Sequence, residues 1–181
     1  MGLFYTGKGD GGQSDLGFKK VSKSRVEIRI LGDLDHLNSL IGVVKNQPFK
    51  KNQIRFGAIL TGIQENLFII QAHIGCLMAG KFKAPEFKKA KVQQLEELID
   101  AFEKQVKPER GFIIPGASFN SAWLDLARTF TRKTELSVLR LKNKLEPKIP
   151  AYLNRLSSLF YAMARLAAKQ EQKKEKHPVY R

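Results

Sequence analysis

Residues 112–140 read FIIPGASFNSAWLDLARTFTRKTELSVLR. The apolar opening and the Pro115-Gly116 turn predict an irregular segment, and a long helix follows with Ser118 available as its cap. Four charged residues spaced three, four and three apart share one stripe of that helix: Asp125, Arg128, Arg132 and Glu135. Apolar residues flank the stripe, and charges in such a place are costly unless they are paired or bound. The stripe is therefore either an exposed face with weak i,i+4 pairs or part of a binding site.

Apolar residues at helical spacing predict four further helices around this one. They cover residues 26–46, 53–79 and 89–105, and a last helix begins near Pro150 and contains YLNRLSSLFYAMARLAAK. The central helix is expected to end before Pro147. Short connections and the lack of a convincing strand pattern predict an all-α fold, an antiparallel five-helix bundle in a single domain over residues 1–181. The basic tail, residues 169–181, is expected to be disordered.

The N-terminal arm, residues 1–24, is rich in glycine. Glycines at positions 7, 9, 11 and 12 let backbone N–H groups converge on an anion, and Lys8 and Lys23 add positive charge. Thr6 and Ser14 add hydroxyl groups. The composition is typical of a phosphate-binding loop, although the spacing matches neither a Walker nor a dinucleotide-binding motif. A flexible arm is the alternative.

A second polar stripe lies on the last predicted helix, where four residues share one face: Asn154, Ser158, Tyr161 and Arg165. Two polar stripes and a glycine-rich arm predict a polar site at the bundle surface or at a subunit interface.

The charge balance limits the partners. The chain has 181 residues and a formal net charge of +15, which favours nucleic acid, polyphosphate or an acidic surface as a partner. Nucleic-acid binding is disfavoured because no nucleic-acid recognition motif is present. The single cysteine, Cys76, excludes an intrachain disulfide, and the three histidines lack metal-ligand spacing. No signal-peptide pattern and no apolar run of about 18 residues is present, so a cytoplasmic protein that does not enter a membrane is expected.

Six motifs, in order along residues 3–166, resemble those of the PduO-type ATP:cob(I)alamin adenosyltransferases. Each motif is weak alone, but six in the same order are specific. They are YTGKGDGGQS at 5–14, VSK at 21–23, GDLDHLNS at 32–39, FIIPG at 112–116, ARTFTRKTE at 127–135 and YLNRLS at 152–157.

The resemblance implies a five-helix bundle that assembles as a homotrimer with active sites between subunits. It implies the transfer of the 5′-deoxyadenosyl group of ATP to the cobalt of cob(I)alamin, giving adenosylcobalamin and triphosphate, with Mg²⁺ held through the ATP phosphates rather than by a protein metal site. A corrinoid reductase or a cobalamin-dependent enzyme would be a further partner.

Roles for individual residues also follow from the resemblance. Asp35 and Arg128 would form an ion pair that orders the site across the interface, and Phe112 would lie against the corrin and displace its lower axial ligand. Seven arm residues would hold the phosphates with Mg²⁺: Thr6, Lys8, Gly9, Asp10, Gly12, Ser14 and Lys23. Three further residues would bind the nucleotide: Arg132, Glu135 and Asn154.

The chain departs from the family pattern at several positions. His36 stands for an acidic residue, Asp125 for a histidine, Ser158 for an aspartate, and Lys133 and Leu136 for arginines. In the arm, Gly7-Lys8 replaces Lys-Thr. These departures support an alternative, a non-catalytic relative that binds ATP or a corrinoid as a sensor or carrier.

Overall fold

The computed structural model describes residues 4–5, 7–17, 19–48, 54–80, 83–107 and 111–180. Within these ranges lie five α-helices, a short antiparallel sheet and one 3₁₀ turn at Lys142–Lys144. The helices are α1 (Val26–Lys45), α2 (Ile54–Ala79), α3 (Ala90–Val106), α4 (Phe119–Leu139) and α5 (Lys148–Gln170). The predicted helical bundle is confirmed, with bounds within two residues of those expected for the first three helices.

The apolar seam predicted for α1 is the buried face of that helix. Ile30, Leu34, Leu37, Ile41 and Val44 have no solvent exposure. Their 3–4-residue spacing places them on one face, which packs against α2 and α4. Burial of such side chains contributes roughly 1.5–3 kcal/mol each, so this face fixes how α1 lies in the bundle.

Three contacts define the direction of α5 relative to α4. Asn120 contacts Glu171 just beyond α5, Asp125 contacts Arg165, and Glu135 contacts Asn154, so the two helices run antiparallel. In contrast, α3 runs parallel to α5, because Glu96 contacts Arg155 and Gln105 contacts Lys169. α5 therefore lies between α3 and α4.

The cap predicted at Ser118 is present. The Ser118 hydroxyl accepts a hydrogen bond from the Ser121 N–H, and the Ser121 hydroxyl lies 2.8 Å from the Ser118 nitrogen as the reciprocal partner. This capping box fixes where α4 begins and therefore the position of its charged stripe.

The expectation of no strands is wrong for the N-terminal arm. β1 (Gln13–Asp15) pairs with β2 (Lys20–Ser22) in an antiparallel hairpin, with Ser14 opposite Val21. Val21 is buried and joins the core. Strands of three residues are too short to show an alternating pattern in the sequence.

The tail that the sequence predicted to be disordered makes contacts with the bundle over residues 171–177. α5 continues to Gln170, and the chain then reverses at Gln172, whose φ is +56°. The returning segment contacts residues 111–114, α4 and α5. Specific hydrogen bonds and one buried ion pair hold it, and lysine-rich composition alone does not reveal these.

Candidate functional site

The charged stripe of α4 faces a pocket of about 360 Å³ between α3, α4 and α5. Arg128 and Arg132 line it from α4, and the polar face of α5 lines it opposite. The lining residues are Ile99, Glu103, Val106, Arg128, Arg132, Ser157, Ser158, Tyr161, Ala162 and Arg165. Arg128 and Arg132 place positive charge on a partly apolar wall, and this chemistry suits an anionic ligand that also carries an apolar or aromatic part.

A buried ion network lies at one side of this pocket. The Arg165 guanidinium, 2% exposed, donates to the Asp125 carboxylate at 2.6 Å and also pairs with Glu175 from the tail. The Tyr161 ring lies 4.6 Å from the same guanidinium. Burial opposes the charge of Arg165, but Asp125 and Glu175 outweigh it and raise the pKa of Arg165. Asp125, one of the departures from the family pattern, is therefore paired within the chain.

Arg128 is only partly satisfied. Its Nε lies 3.5 Å from the Asp125 Oδ1. Both atoms are buried, and neither has a hydrogen-bond partner within the part of the chain that the structure describes. Because a buried guanidinium N–H without an acceptor is costly, Arg128 is suited to receive another anion.

At the other end of the stripe, Glu135 and Asn154 are hydrogen-bonded. The Asn154 side-chain amide donates to the Glu135 carboxylate at 3.0 Å, and Arg155 donates to the Asn154 side-chain Oδ1 at 3.0 Å. Arg155 also pairs with Glu96 at 2.9 Å. Two of the residues expected to bind nucleotide thus lie together.

A second pocket, of about 570 Å³, lies between α1 and α4 and shares Arg132 with the first. Asp33 in its wall accepts a hydrogen bond from Ser137 at 2.6 Å and pairs with Lys133 at 3.4 Å. Asp35 is exposed on α1. Among the described residues no ion pair joins Asp35 to Arg128 of the same chain, so the expected pair across an interface stays a prediction.

The arm forms a compact hairpin with its cations near its glycines. The Lys23 ammonium donates to the Gly9 carbonyl at 2.9 Å, and the Lys23 N–H donates to the Gly12 carbonyl at 2.9 Å. A Cβ on Gly9 would lie only 3.2 Å from the Lys23 ammonium, so a side chain there would displace Lys23. Lys8 pairs with Asp15 at 3.5 Å, and the Gly17 N–H, followed by Lys8, lowers the pKa of Asp15.

The structure thus brings the predicted residues together in two separate groups. Lys8, Gly9, Asp10, Gly12, Ser14 and Lys23 lie in the hairpin, and Arg128, Arg132, Glu135 and Asn154 lie on α4 and α5. Thr6 lies outside the described residues. No described residue of the arm lines either of the two pockets beside α4.

Phe112 lies apart from both groups with its side chain 77% exposed. Its carbonyl accepts a hydrogen bond from the His177 Nδ1 at 2.9 Å. Sequence reasoning missed His177 and Glu175, since the stretch KQEQKKEKHP reads as a solvated lysine-rich tail. It also singled out Arg165 only as one member of a polar face.

Two further departures, His36 and Lys133, meet at one aromatic ring. The His36 and Phe130 rings are 4.3 Å apart, and the Lys133 ammonium lies 5.7 Å from the centre of the Phe130 ring. Ser158, a third departure, lines the first pocket. His36 and Lys133 therefore pack on Phe130, whereas Ser158 lies at the first pocket.

Within the described ranges no group of three or more His, Cys, Asp and Glu side chains could hold a metal ion. In the same ranges no helix is both long and apolar enough to span a membrane.

A helical bundle with an arginine-lined pocket and a glycine-rich basic hairpin defines a class of protein built to bind a phosphorylated ligand. The chain belongs to the cobalamin adenosyltransferase family, whose family model matches residues 4–167.

Named relatives agree with this assignment. A corrinoid adenosyltransferase of Citrobacter freundii is 31% identical over 92% of this chain and 95% of its own. One of Bacillus subtilis is 33% identical over 90% of this chain and 84% of its own.

The fold also matches a solved structure. A variant PduO-type ATP:corrinoid adenosyltransferase from Lactobacillus reuteri, complexed with cobalamin and ATP, has a TM-score of 0.89 at 27% identity. The match covers 97% of this chain and 96% of that one. The resemblance seen in the six motifs is thus confirmed at the level of family and fold.

Proposed function

We propose that this protein transfers the 5′-deoxyadenosyl group of ATP to the cobalt of a reduced corrinoid, cob(I)alamin. The observation that carries the proposal is the pocket wall formed by Arg128 and Arg132, in which the buried Arg128 Nε has no hydrogen-bond acceptor among the residues that the structure describes. This wall suits a polyphosphate substrate with an apolar part. The relatives named for this activity, and the related structure complexed with cobalamin and ATP, support the choice of reaction.

The reaction needs no side-chain nucleophile. The cobalt(I) electron pair attacks C5′ of ATP, the Co–C bond forms, and the C5′–O bond breaks so that triphosphate leaves with the bonding electrons. The tasks left to the protein are to align C5′ with the cobalt, to neutralise the leaving triphosphate and to exclude water. Basic groups at fixed positions are therefore the residues to expect at the site.

The arm would bind the phosphates. The hairpin holds the Lys23 ammonium beside the Gly9 carbonyl, and its glycines leave room for an anion to approach the backbone. Thr6, Lys8, Gly12 and Ser14 would complete the cradle. A polyanion would bind more tightly here than a monoanion, because several cations act on it at once.

Magnesium fits this arm as a metal held mainly by the substrate. Mg²⁺ is usually bound through one or two carboxylates plus substrate phosphates, and Asp10 is the exposed carboxylate among the phosphate-binding candidates. When bound, the ion would neutralise charge on the departing triphosphate. Asp10 would hold it from the arm, and Lys8 and Lys23 would carry the remaining neutralisation.

The adenosyl end would be bound by α4 and α5. Arg132 lies between the two α4 pockets, and the Glu135–Asn154 hydrogen bond presents a polar edge to a ribose or base. Phe112 would lie against the corrin face and displace the lower axial ligand. Its exposed ring is available for such a contact.

The active site would be completed between subunits of a homotrimer. The arm and the α4 pocket are separate groups in one chain, and Asp35 is exposed on α1. Asp35 of one subunit would supply the acceptor that Arg128 lacks in another, and an arm would reach the neighbouring pocket. A cytoplasmic location and a corrinoid reductase as electron source accord with this chemistry.

The experiment is an anaerobic assay with ATP, Mg²⁺ and chemically reduced cob(I)alamin, followed by the visible spectrum. We expect the adenosylcobalamin spectrum with the wild type and a loss on the order of 10²-fold in rate with Arg128→Ala. Lys148→Ala, which removes an exposed cation far from the pocket, is the matched control. A wild type that binds ATP tightly but gives no conversion would overturn the proposal in favour of a nucleotide-binding relative.

Complementation tests the shared site. Asp35→Ala and Arg128→Ala are each expected to lose on the order of 10²-fold in rate. Mixing the two after mild dissociation should restore activity, because some interfaces then carry both native residues. Unrestored activity in oligomers shown to be mixed would contradict a site built across the interface.

A further inference from the structure

The segment after α5 turns back onto the bundle. Gln172 has a left-handed φ of +56°, and the Lys173 N–H donates to the Ala168 carbonyl at 2.9 Å. This bonding closes the end of α5 in the manner of a Schellman motif. The reversal directs residues 173–177 toward the segment that precedes α4.

Two hydrogen bonds then join this returning segment to the backbone around Phe112. The Ile114 N–H donates to the Lys176 carbonyl at 2.8 Å, and the His177 Nδ1 donates to the Phe112 carbonyl at 2.9 Å. Gly111, next to Phe112, has φ of +124°, and a Cβ there would lie 3.6 Å from the His177 ring. The tail thus contacts three neighbouring positions of the segment.

The returning segment is itself anchored in the core. Glu175 pairs with the buried Arg165, which also pairs with Asp125 of α4. The Asn120 amide donates to the Glu171 carboxylate at 2.8 Å. Arg165 is 2% exposed and Glu175 is 20% exposed, so water screens their pair less than it screens a pair on the surface.

We propose that residues 171–177 are a positioning element for the Phe112 segment, with Glu175 and His177 as the positioning residues. The inference rests on the proposed function, in which Phe112 contacts the corrin. Glu175 fixes the tail on Arg165, and His177 and the Lys176 carbonyl fix the backbone that carries Phe112. The buried charge network of α4 and α5 is thereby connected to the corrin-contacting residue.

The exposure of Phe112 is the reason the segment needs such support. With its side chain 77% exposed, packing contributes little to holding the ring in place. Glycines with positive φ flank the segment, Gly111 at +124° and Gly116 at +91°, so its backbone has freedom at both ends. The two tail hydrogen bonds restrict that freedom.

Amide hydrogen exchange gives a test that does not depend on activity. The Ile114 N–H should exchange slowly in the wild type and at least tenfold faster in Glu175→Ala, in His177→Ala and in a chain ending at Gln170. Circular dichroism checks that the helices remain in each variant. Glu146→Ala, which breaks an exposed ion pair with Lys148 before α5, is the control and should leave exchange at Ile114 unchanged.

Glu175→Gln tests whether the tail is held by the side-chain oxygen at position 175 or by its negative charge. Glu175→Gln removes the charge and keeps a side-chain oxygen of the same reach beside the Arg165 guanidinium. We expect Glu175→Gln to restore slow exchange at Ile114. Slow exchange at Ile114 in Glu175→Ala would overturn the anchor.

Steady-state kinetics supplies the functional readout. Glu175→Ala and His177→Ala should each raise the corrinoid KM several-fold. In His177→Ala, which leaves both partners of Arg165 in place, the ATP KM should be unchanged. An active wild type whose Ile114 exchange and corrinoid KM are unchanged in both variants would overturn the inference. A wild type without adenosyl transfer would instead overturn the proposed function and leave the exchange result standing.

Discussion

The two ends of the chain both carry several lysines but have different roles in the structure. The N-terminal hairpin and the C-terminal tail are both rich in lysine. The hairpin makes its hydrogen bonds largely within itself, such as Lys23 to Gly9, whereas the tail bonds to α4, α5 and residues 111–114. The hairpin therefore holds its cations beside its own glycines, and the tail uses its charged groups to hold other parts of the protein.

The largest expected effect concerns the network on which the tail is anchored. Asp125→Ala leaves the buried Arg165 with Glu175 alone, and removal of one partner from a buried pair costs about 3–5 kcal/mol. We expect the free energy of unfolding in urea to fall by that amount. Glu96→Ala, which breaks a pair with both side chains nearly half exposed, should cost less than about 1 kcal/mol. Equal losses in the two variants would show that the network does not anchor the tail.

A smaller effect is expected in the hairpin, on ligand affinity and not on stability. Gly9→Ala places a Cβ 3.2 Å from the Lys23 ammonium and 3.3 Å from the Gln13 carbonyl, so one of them must move. We expect calorimetry to show about tenfold weaker ATP binding, close to 1.4 kcal/mol, with an unchanged melting temperature.

Gly11→Ala is the matched control for this variant. A Cβ at Gly11 meets no atom within 4 Å. ATP affinity should therefore stay at the wild-type value. Equal weakening by both substitutions would mean that flexibility of the hairpin, and not the position of Lys23, governs binding.

The smallest effect concerns pH at the junction of the hairpin and α1. Arg25 donates to the Glu27 carboxylate at 2.9 Å and holds the pKa of Glu27 below its ordinary value of 4.5. A lowered pKa in the folded state stabilises the protein above pH 4.5, and this contribution is lost as the pH falls through the folded-state pKa. Urea unfolding from pH 6 to pH 3 should show a smaller acid-dependent loss in Arg25→Ala than in the wild type. An identical loss of stability in the two proteins would contradict the claim that Arg25 lowers the pKa of Glu27.

Much of the bundle could be predicted because helices are specified by residues close together in the sequence. The spacing of Ile30, Leu34 and Leu37 places them on one face of a helix, and Ser118 stands where a cap is needed. The stripe of Asp125, Arg128 and Arg132 was likewise visible, since three- and four-residue offsets determine a helix face. Family and fold followed from six motifs in order.

The features that could not be predicted depend on distant partners or on very short elements. Asp125 finds Arg165 forty residues away, and no local pattern reveals that pairing. The tail was expected to be disordered because its composition is lysine-rich, whereas one reversal at Gln172 and one buried pair at Glu175 hold it in place. The roles of Asp35, Phe112 and the arm in binding remain predictions, since they concern substrates and a second subunit.

Product analysis tests the central claim most directly. After an anaerobic turnover with ATP, Mg²⁺ and cob(I)alamin, ³¹P NMR and chromatography measure the phosphate products and adenosylcobalamin together. The account predicts one intact triphosphate for each adenosylcobalamin, because the C5′–O bond is the one that breaks. Diphosphate or single phosphate without adenosylcobalamin would contradict it and would identify the pocket as a site of ATP hydrolysis.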